Sequence, residues 1–90
     1  MLGIKSRAFQ LNLKANEFKQ LENFTQAEEY VREAIRLDPA FAEAYSNLGT
    51  ILISLGKFKE AKESIRKAVE LRPYYRNAIW NLFLLSENKE

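Results

Sequence analysis

Apolar positions along this chain recur at spacings of three and four, the signature of helices that bury one face. Tyr45, Leu48, Leu52 and Leu55 form one such series with Gly49 set among them, and Gly56 follows as a stop. Glycine enters the left-handed conformation without steric cost, so it ends a helix readily. Phe58, Ala61, Ile65, Ala68, Val69 and Leu71 then predict a second amphipathic helix. Pro73 closes it and sets up the next helix start. The same two-helix pattern precedes this one. There Glu22 stands where the stop glycine is expected, and Asn23 beside it can also adopt the left-handed conformation. Thr25 and Glu28 form a capping-box pattern for the helix that follows. Immediately before the last five residues lies "NAIWNLFLL", residues 77–85, the most apolar stretch and a fifth predicted helix.

The pattern is a repeat. Shifting the sequence by 34 residues places Phe24 on Phe58, Ala27 on Ala61, Val31 on Ile65, Ala34 on Ala68, Leu37 on Leu71 and Pro39 on Pro73. Leu11 meets Tyr45, Ala15 meets Gly49, Phe18 meets Leu52, and "AYSNL" at 44–48 meets "AIWNL" at 78–82. The expected organisation is one domain over 1–90: repeat one about 8–41, repeat two 42–75 and a terminal helix about 76–87. A glycine inside a helix costs about 1 kcal/mol relative to alanine, so Gly49 calls for a reason. Its counterpart is Ala15, and the facing helices carry Ala27 and Ala61 at the matching site. Smallness recurring at one register on both helices argues for close backbone approach.

Tyr45, Leu48, Gly49, Leu52, Ala61, Ile65 and Pro73 fall at the spacing W-x2-L-G-x2-Y…A-x3-F…P, with Tyr for Trp, Leu for Tyr and Ile for Phe. The chain therefore resembles the tetratricopeptide repeat (TPR) family from about residue 8 to 85. The first helix departs most, because Lys14 occupies the register of Leu48; its aliphatic stem can still cover apolar surface. The resemblance implies an all-α fold: a right-handed α-solenoid of helix-turn-helix units, with about five helices in two full repeats plus a terminal helix. It also implies a protein or peptide partner held in the groove lined by the first helix of each unit.

Composition narrows the chemistry. Histidine and cysteine are both absent, which removes the commonest general base, thiol catalysis and the usual transition-metal ligands. Glu28 and Glu29 point to different faces of their helix, and Glu60 and Glu63 read as a solvated face among lysines. The three glycines, at 3, 49 and 56, form no phosphate loop. No enzymatic role, cofactor or metal is expected. The net charge of +2 arises from interspersed signs, which gives no basic stripe for nucleic acid. No apolar run approaches the roughly 20 residues of a bilayer span, so no membrane insertion is expected. The start, "MLGIKSRAFQ", lacks a signal-peptide core, and a cytoplasmic location is expected.

Three register sets are expected to face the groove: Leu13, Asn47 and Asn81; Asn16, Thr50 and Leu84; Asn12, Ser46 and Trp80. Asparagine is a poor helix former, so Asn47 and Asn81 at one register invite a ligand role. An amide both donates and accepts, which suits a peptide backbone of any sequence. The pair resembles the asparagine ladders of long TPR superhelices. Asn12, Asn16, Asn47, Thr50 and Asn81 are the expected peptide-binding residues. Asn16 and Asn47 also stand at the asparagine registers of the family's clamp for acidic chaperone tails. Asn12, Asn77 and Asn81 occupy its basic registers, however, and a carboxylate binds best to charged donors; this argues against that role. Phe9 and Leu13 supply apolar groove wall, with Tyr74 and Tyr75 in the loop before the last helix.

The terminal helix raises a competing reading. Ile79, Trp80, Leu82, Phe83, Leu84 and Leu85 spread around most of its circumference, whereas a solenoid cap normally presents a polar outer face. Phe83 occupies the register of Gly49, so no closely packed partner helix is expected there: the helix is either a terminal cap folded onto the preceding unit, or its outer side meets another molecule. Trp80, Phe83 and Leu84 are the candidate interface of a structural module, the simplest form of which is a homodimer through the terminal helices.

Overall fold

A computed structural model describes residues 3–87; residues 1–2 and 88–90 of the expected domain lie outside them. The described chain forms five helices: α1 Ile4–Gln20, α2 Phe24–Leu37, α3 Ala42–Ser54, α4 Phe58–Leu71 and α5 Arg76–Glu87. No strand occurs among the described residues. Consecutive helices pack as antiparallel hairpins, α1 on α2 and α3 on α4, and α5 closes on α4. The array measures 45 × 28 × 17 Å. Stacking of this kind leaves α1, α3 and α5 side by side, with α2 and α4 behind them.

Alternation in amphipathicity follows from that placement. The α2 and α4 helices bury one narrow stripe, Ala27, Val31 and Ala34 in one and Ala61, Ile65 and Ala68 in the other. The α3 helix is wedged between α2 and α4 and buries Ala44, Ser46, Leu48, Gly49, Ile51 and Leu52 around much of its girth. A helix covered on two sides must be apolar on two sides. Alanines dominate the core, which lets helix axes approach closely. At Gly49 an added methyl would overlap Ile65 Cγ1 and lie 2.8 Å from Ile65 Cδ1 and 3.5 Å from the Ala61 carbonyl oxygen. The close approach read from the sequence is therefore real, and it is chiefly the Ile65 side chain that fills the space beside the glycine. In the first hairpin Phe18 and Tyr30 stack, with ring centres 5.4 Å apart.

Both hairpin turns use the same hydrogen-bond pattern. At the end of α1 the Glu22 N–H donates to the Lys19 carbonyl at 2.9 Å and the Asn23 N–H to that of Phe18 at 2.9 Å. At the end of α3 the Gly56 N–H donates to Ile53 at 3.0 Å and the Lys57 N–H to Leu52 at 2.8 Å. These are Schellman closures, which demand a left-handed residue at the penultimate position. Gly56 meets it at φ 78°, and Glu22 meets it at φ 60°. The expectation that Asn23 takes this conformation is corrected: its φ is −93°, and it caps α2 by accepting from the Gln26 N–H at 3.4 Å. The capping box is corrected with it. Because α2 starts at Phe24, Thr25 is already inside the helix. Glu28 turns outward to Arg32 at 2.8 Å and Lys57 at 3.5 Å. Pro39 and Pro73 each occupy the second position of a turn, closed by Phe41 N–H to Asp38 and Tyr75 N–H to Arg72, both 3.0 Å. Proline's fixed φ suits that position.

Ion pairs join the two repeats across the back of the array. Arg32 Nη2 lies 3.1 Å from Glu60 Oε2, and the Lys57–Glu28 pair runs beside it. Such exposed pairs contribute about 0–1 kcal/mol each. They place Glu60 on a solvated face, as the sequence indicates.

Candidate functional site

The faces of α1, α3 and α5 opposite α2 and α4 enclose a groove of about 520 Å³. Its walls follow the repeat registers. Phe9, Glu43 and Asn77 form one end; Asn12, Ser46 and Trp80, then Leu13, Asn47 and Asn81, form the middle; Asn16, Thr50 and Lys19 form the other end. All five expected peptide-binding residues line it, as does Trp80. Leu84 does not line it and is 44% exposed elsewhere on α5. Ser46 is buried, and the apolar contribution comes from Phe9, Leu13, Tyr75 and Trp80.

The asparagines differ in what they have left to offer. Asn12 sits at the floor, 3% exposed, and its Oδ1 accepts from Asn47 Nδ2 at 2.9 Å. Asn47 Oδ1 in turn accepts from Lys19 Nζ at 2.8 Å. Lys19 Nζ also lies 3.4 Å from Thr50 Oγ1, whose hydroxyl donates to the Asn47 carbonyl at 2.9 Å. A chain Lys19–Asn47–Asn12 thus spans from α1 to α3 and back. It fixes the Asn47 amide with its oxygen toward Lys19, leaving one amide proton and one oxygen lone pair for a ligand. Among the described residues Asn16, Asn77 and Asn81 make no side-chain hydrogen bond, so their amides face the groove uncommitted.

Lys19 is a groove-lining residue to which the sequence does not point. It reads as a solvated lysine in the last turn of α1, where cations are common. In the folded chain its stem lies against the groove, and burial pushes its ammonium below the ordinary lysine range. Only the 34-residue register could have hinted at this, because its counterpart is the part-buried Ile53 rather than a polar residue.

A second concavity lies on the outer side of α5. Tyr74, Arg76, Ile79, Trp80 and Phe83 line a hollow of about 500 Å³. Ile79, Trp80, Phe83 and Leu84 are 44, 57, 51 and 44% exposed. The Trp80 and Phe83 rings stack at 5.6 Å. Phe83 occupies the register at which α4 covers Gly49 one unit earlier; among the described residues no helix covers it. Arg72 lies 4.7 Å above the Tyr75 ring and steadies the loop into α5. No cluster of acidic residues suited to a metal occurs among the described residues, and no helix in them is long and apolar enough to cross a membrane.

A family model for the tetratricopeptide repeat matches residues 12–76. No curated protein sequence matches. Among solved structures, the Arabidopsis OM64 TPR domain is similar with a TM-score of 0.91 at 22% identity, over 96% of this chain and 71% of that one. The first TPR of Spaghetti (RPAP3), bound to the HSP90 peptide SRMEEVD, gives 0.87 at 27% identity over 90% and 64% of the two chains. The TPR2B domain of yeast Sti1, in complex with pHsp70, gives 0.87 at 26% over 91% and 66%. This chain therefore spans about two thirds of the length of these relatives.

Proposed function

Because the chain belongs to the tetratricopeptide repeat family, we propose that it is a non-enzymatic protein-interaction module that binds a peptide or a segment of a partner protein in the α1–α3–α5 groove. The observation that carries this is the row of amides along the groove. Asn16, Asn77 and Asn81 are uncommitted, and Asn47 is held in one orientation by Lys19 and Asn12. The preorganised Asn47 amide grips an extended backbone without first losing rotamer freedom, and the three uncommitted amides offer further donors and acceptors along it. Similar domains at 27 and 26% identity were solved with the HSP90 peptide SRMEEVD and in complex with pHsp70, which supports a protein-derived occupant here. The clamp for acidic tails would need cations at Asn12, Asn77 and Asn81, and asparagine at all three makes a chaperone tail a poor fit.

Trp80, the sole tryptophan, lines the groove and reports on it. Displayed random peptides are selected on the intact chain, and binders are synthesised and titrated by Trp80 fluorescence. Asn81→Ala is expected to weaken binding about tenfold with unchanged thermal stability, since Asn81 has no structural partner. Binders indifferent to both Asn81→Ala and Asn47→Ala would sink the groove reading.

A second reading is favoured by the exposed apolar surface of α5: a structural module whose outer face docks against another copy or the rest of an assembly. Trp80→Glu with Leu84→Gln is expected to lower the light-scattering mass from dimer to monomer. A single-chain mass for the unmodified protein at high concentration would remove this reading.

A further inference from the structure

Only two of the residues lining the groove are charged, and their signs are opposite. Lys19 Nζ is drawn in to the level of Asn47 and Thr50 by contacts of 2.8 and 3.4 Å. Glu43 stands four to seven residues closer to the start of α3. At about 1.5 Å per helical residue, the separation along the groove is about 6–10 Å. An extended peptide advances about 3.3 Å per residue, so the two charges are two to three peptide residues apart. Two of the three ammonium donors of Lys19 are directed at Asn47 and Thr50, leaving one for a ligand. Among the described residues Glu43 has neither an ion-pair nor a hydrogen-bond partner, so its carboxylate is free to receive a cation. The amides between the two ends carry no net charge and leave this polarity unopposed.

We propose that the groove selects a bipolar peptide segment, with a carboxylate opposite Lys19 and, two or three residues away, a lysine or arginine opposite Glu43. This deepens the groove-binding reading and rests on it. It also separates the ligand from a uniformly acidic one: a second acidic residue would meet Glu43 and be repelled. Phe9 and Leu13 on one wall and Trp80 on the other take the side chains that accompany the charged pair.

The test uses the displayed random peptide library on four chains: unmodified, Glu43→Lys, Lys19→Met with Glu43→Gln, and Lys19→Glu with Glu43→Lys. Far-UV circular dichroism establishes that each is folded. The unmodified chain is expected to enrich an acidic and a basic residue separated by one or two others. The double reversal is expected to enrich the same pair in inverted order. Should that variant not fold, Glu43→Lys alone is decisive, because Glu43 is exposed and its groove, now with two cations, is expected to enrich two acidic residues. Titration of a synthetic consensus peptide should show Kd rising about tenfold in the neutral variant, with the difference shrinking at 1 M salt as the charges are screened. Free-acid and amidated versions of the peptide distinguish a terminal carboxylate from an acidic side chain. Peptides that need Asn81 but show no charge preference would overturn the bipolar proposal and leave the groove reading standing. Peptides indifferent to Asn81 and Asn47 would overturn both.

Discussion

Gly49→Ala sets two opposing effects against each other. Alanine in a helix interior is favoured over glycine by about 1 kcal/mol, so on helix propensity alone the change should stabilise. Packing predicts the reverse. The added methyl overlaps Ile65 Cγ1 and lies 2.8 Å from its Cδ1. Ile65 is fully buried, so moving its side chain disturbs the packed core around it. The overlapped carbon is also near the α4 backbone, so relief requires α3 and α4 to separate. Overpacking a close-fitting core costs about 1–3 kcal/mol, and this site belongs at the upper end. The net expectation is a loss of about 1–2 kcal/mol, or a Tm lowered by about 5–15 °C for a domain of this size. Ile65→Ala alone should cost about 2–5 kcal/mol through the cavity it leaves. Combined with Gly49→Ala, the new methyl occupies part of that cavity, and the double variant should be more stable than the sum by about 1 kcal/mol or more. Urea and thermal unfolding followed by helical ellipticity measure all three. A Gly49→Ala chain as stable as the parent, or more so, would refute the close-approach argument.

Three further outcomes are expected. Glu22→Gly should stabilise the chain by about 1 kcal/mol and Gly56→Ala should destabilise it by a similar amount, because a left-handed residue with a Cβ costs about 1–2 kcal/mol; equal melting temperatures for both variants would contradict the shared turn geometry. Asn47→Ala should cost about 1–3 kcal/mol by orphaning the buried Asn12 oxygen, while Asn81→Ala leaves the unfolding midpoint unchanged; chemical denaturation separates them. Lys19 has its pKa lowered by burial, so the unfolded chain holds this proton more tightly. The resulting penalty is fully present at neutral pH and is relieved as pH rises through the folded pKa toward the ordinary lysine value. In alkaline melts the unmodified chain should therefore gain stability relative to Lys19→Met, and a constant difference between the two would show that Lys19 is not desolvated.

The helices, the 34-residue period and the need for a small residue at Gly49 were legible in the amino-acid order because each is local or repeated. A three-four spacing marks a buried face wherever it occurs, and smallness recurring at one register, Ala15 and Gly49, marks a tight contact, although the period did not identify Ile65 as the side chain that fills it. The registers also brought Asn12, Asn16, Asn47, Thr50, Asn81 and Trp80 to one groove, since helices that recur at a fixed period present equivalent positions to the same side.

Tertiary structure alone decided which of these residues remain available. Lys19 reaches Asn47 across 28 positions of sequence, and Asn47 reaches Asn12 across 35. Such bonds depend on the distance between α1 and α3 and on the direction in which each side chain leaves its helix, neither of which a period encodes. The turn after α1 shows the same division. Two adjacent residues, Glu22 and Asn23, competed for the left-handed position, and intrinsic preference favoured asparagine. The closure of α1 onto Phe18 and the start of α2 at Phe24 placed the demand one residue earlier, because the register of two packed helices outweighs the preference of one side chain.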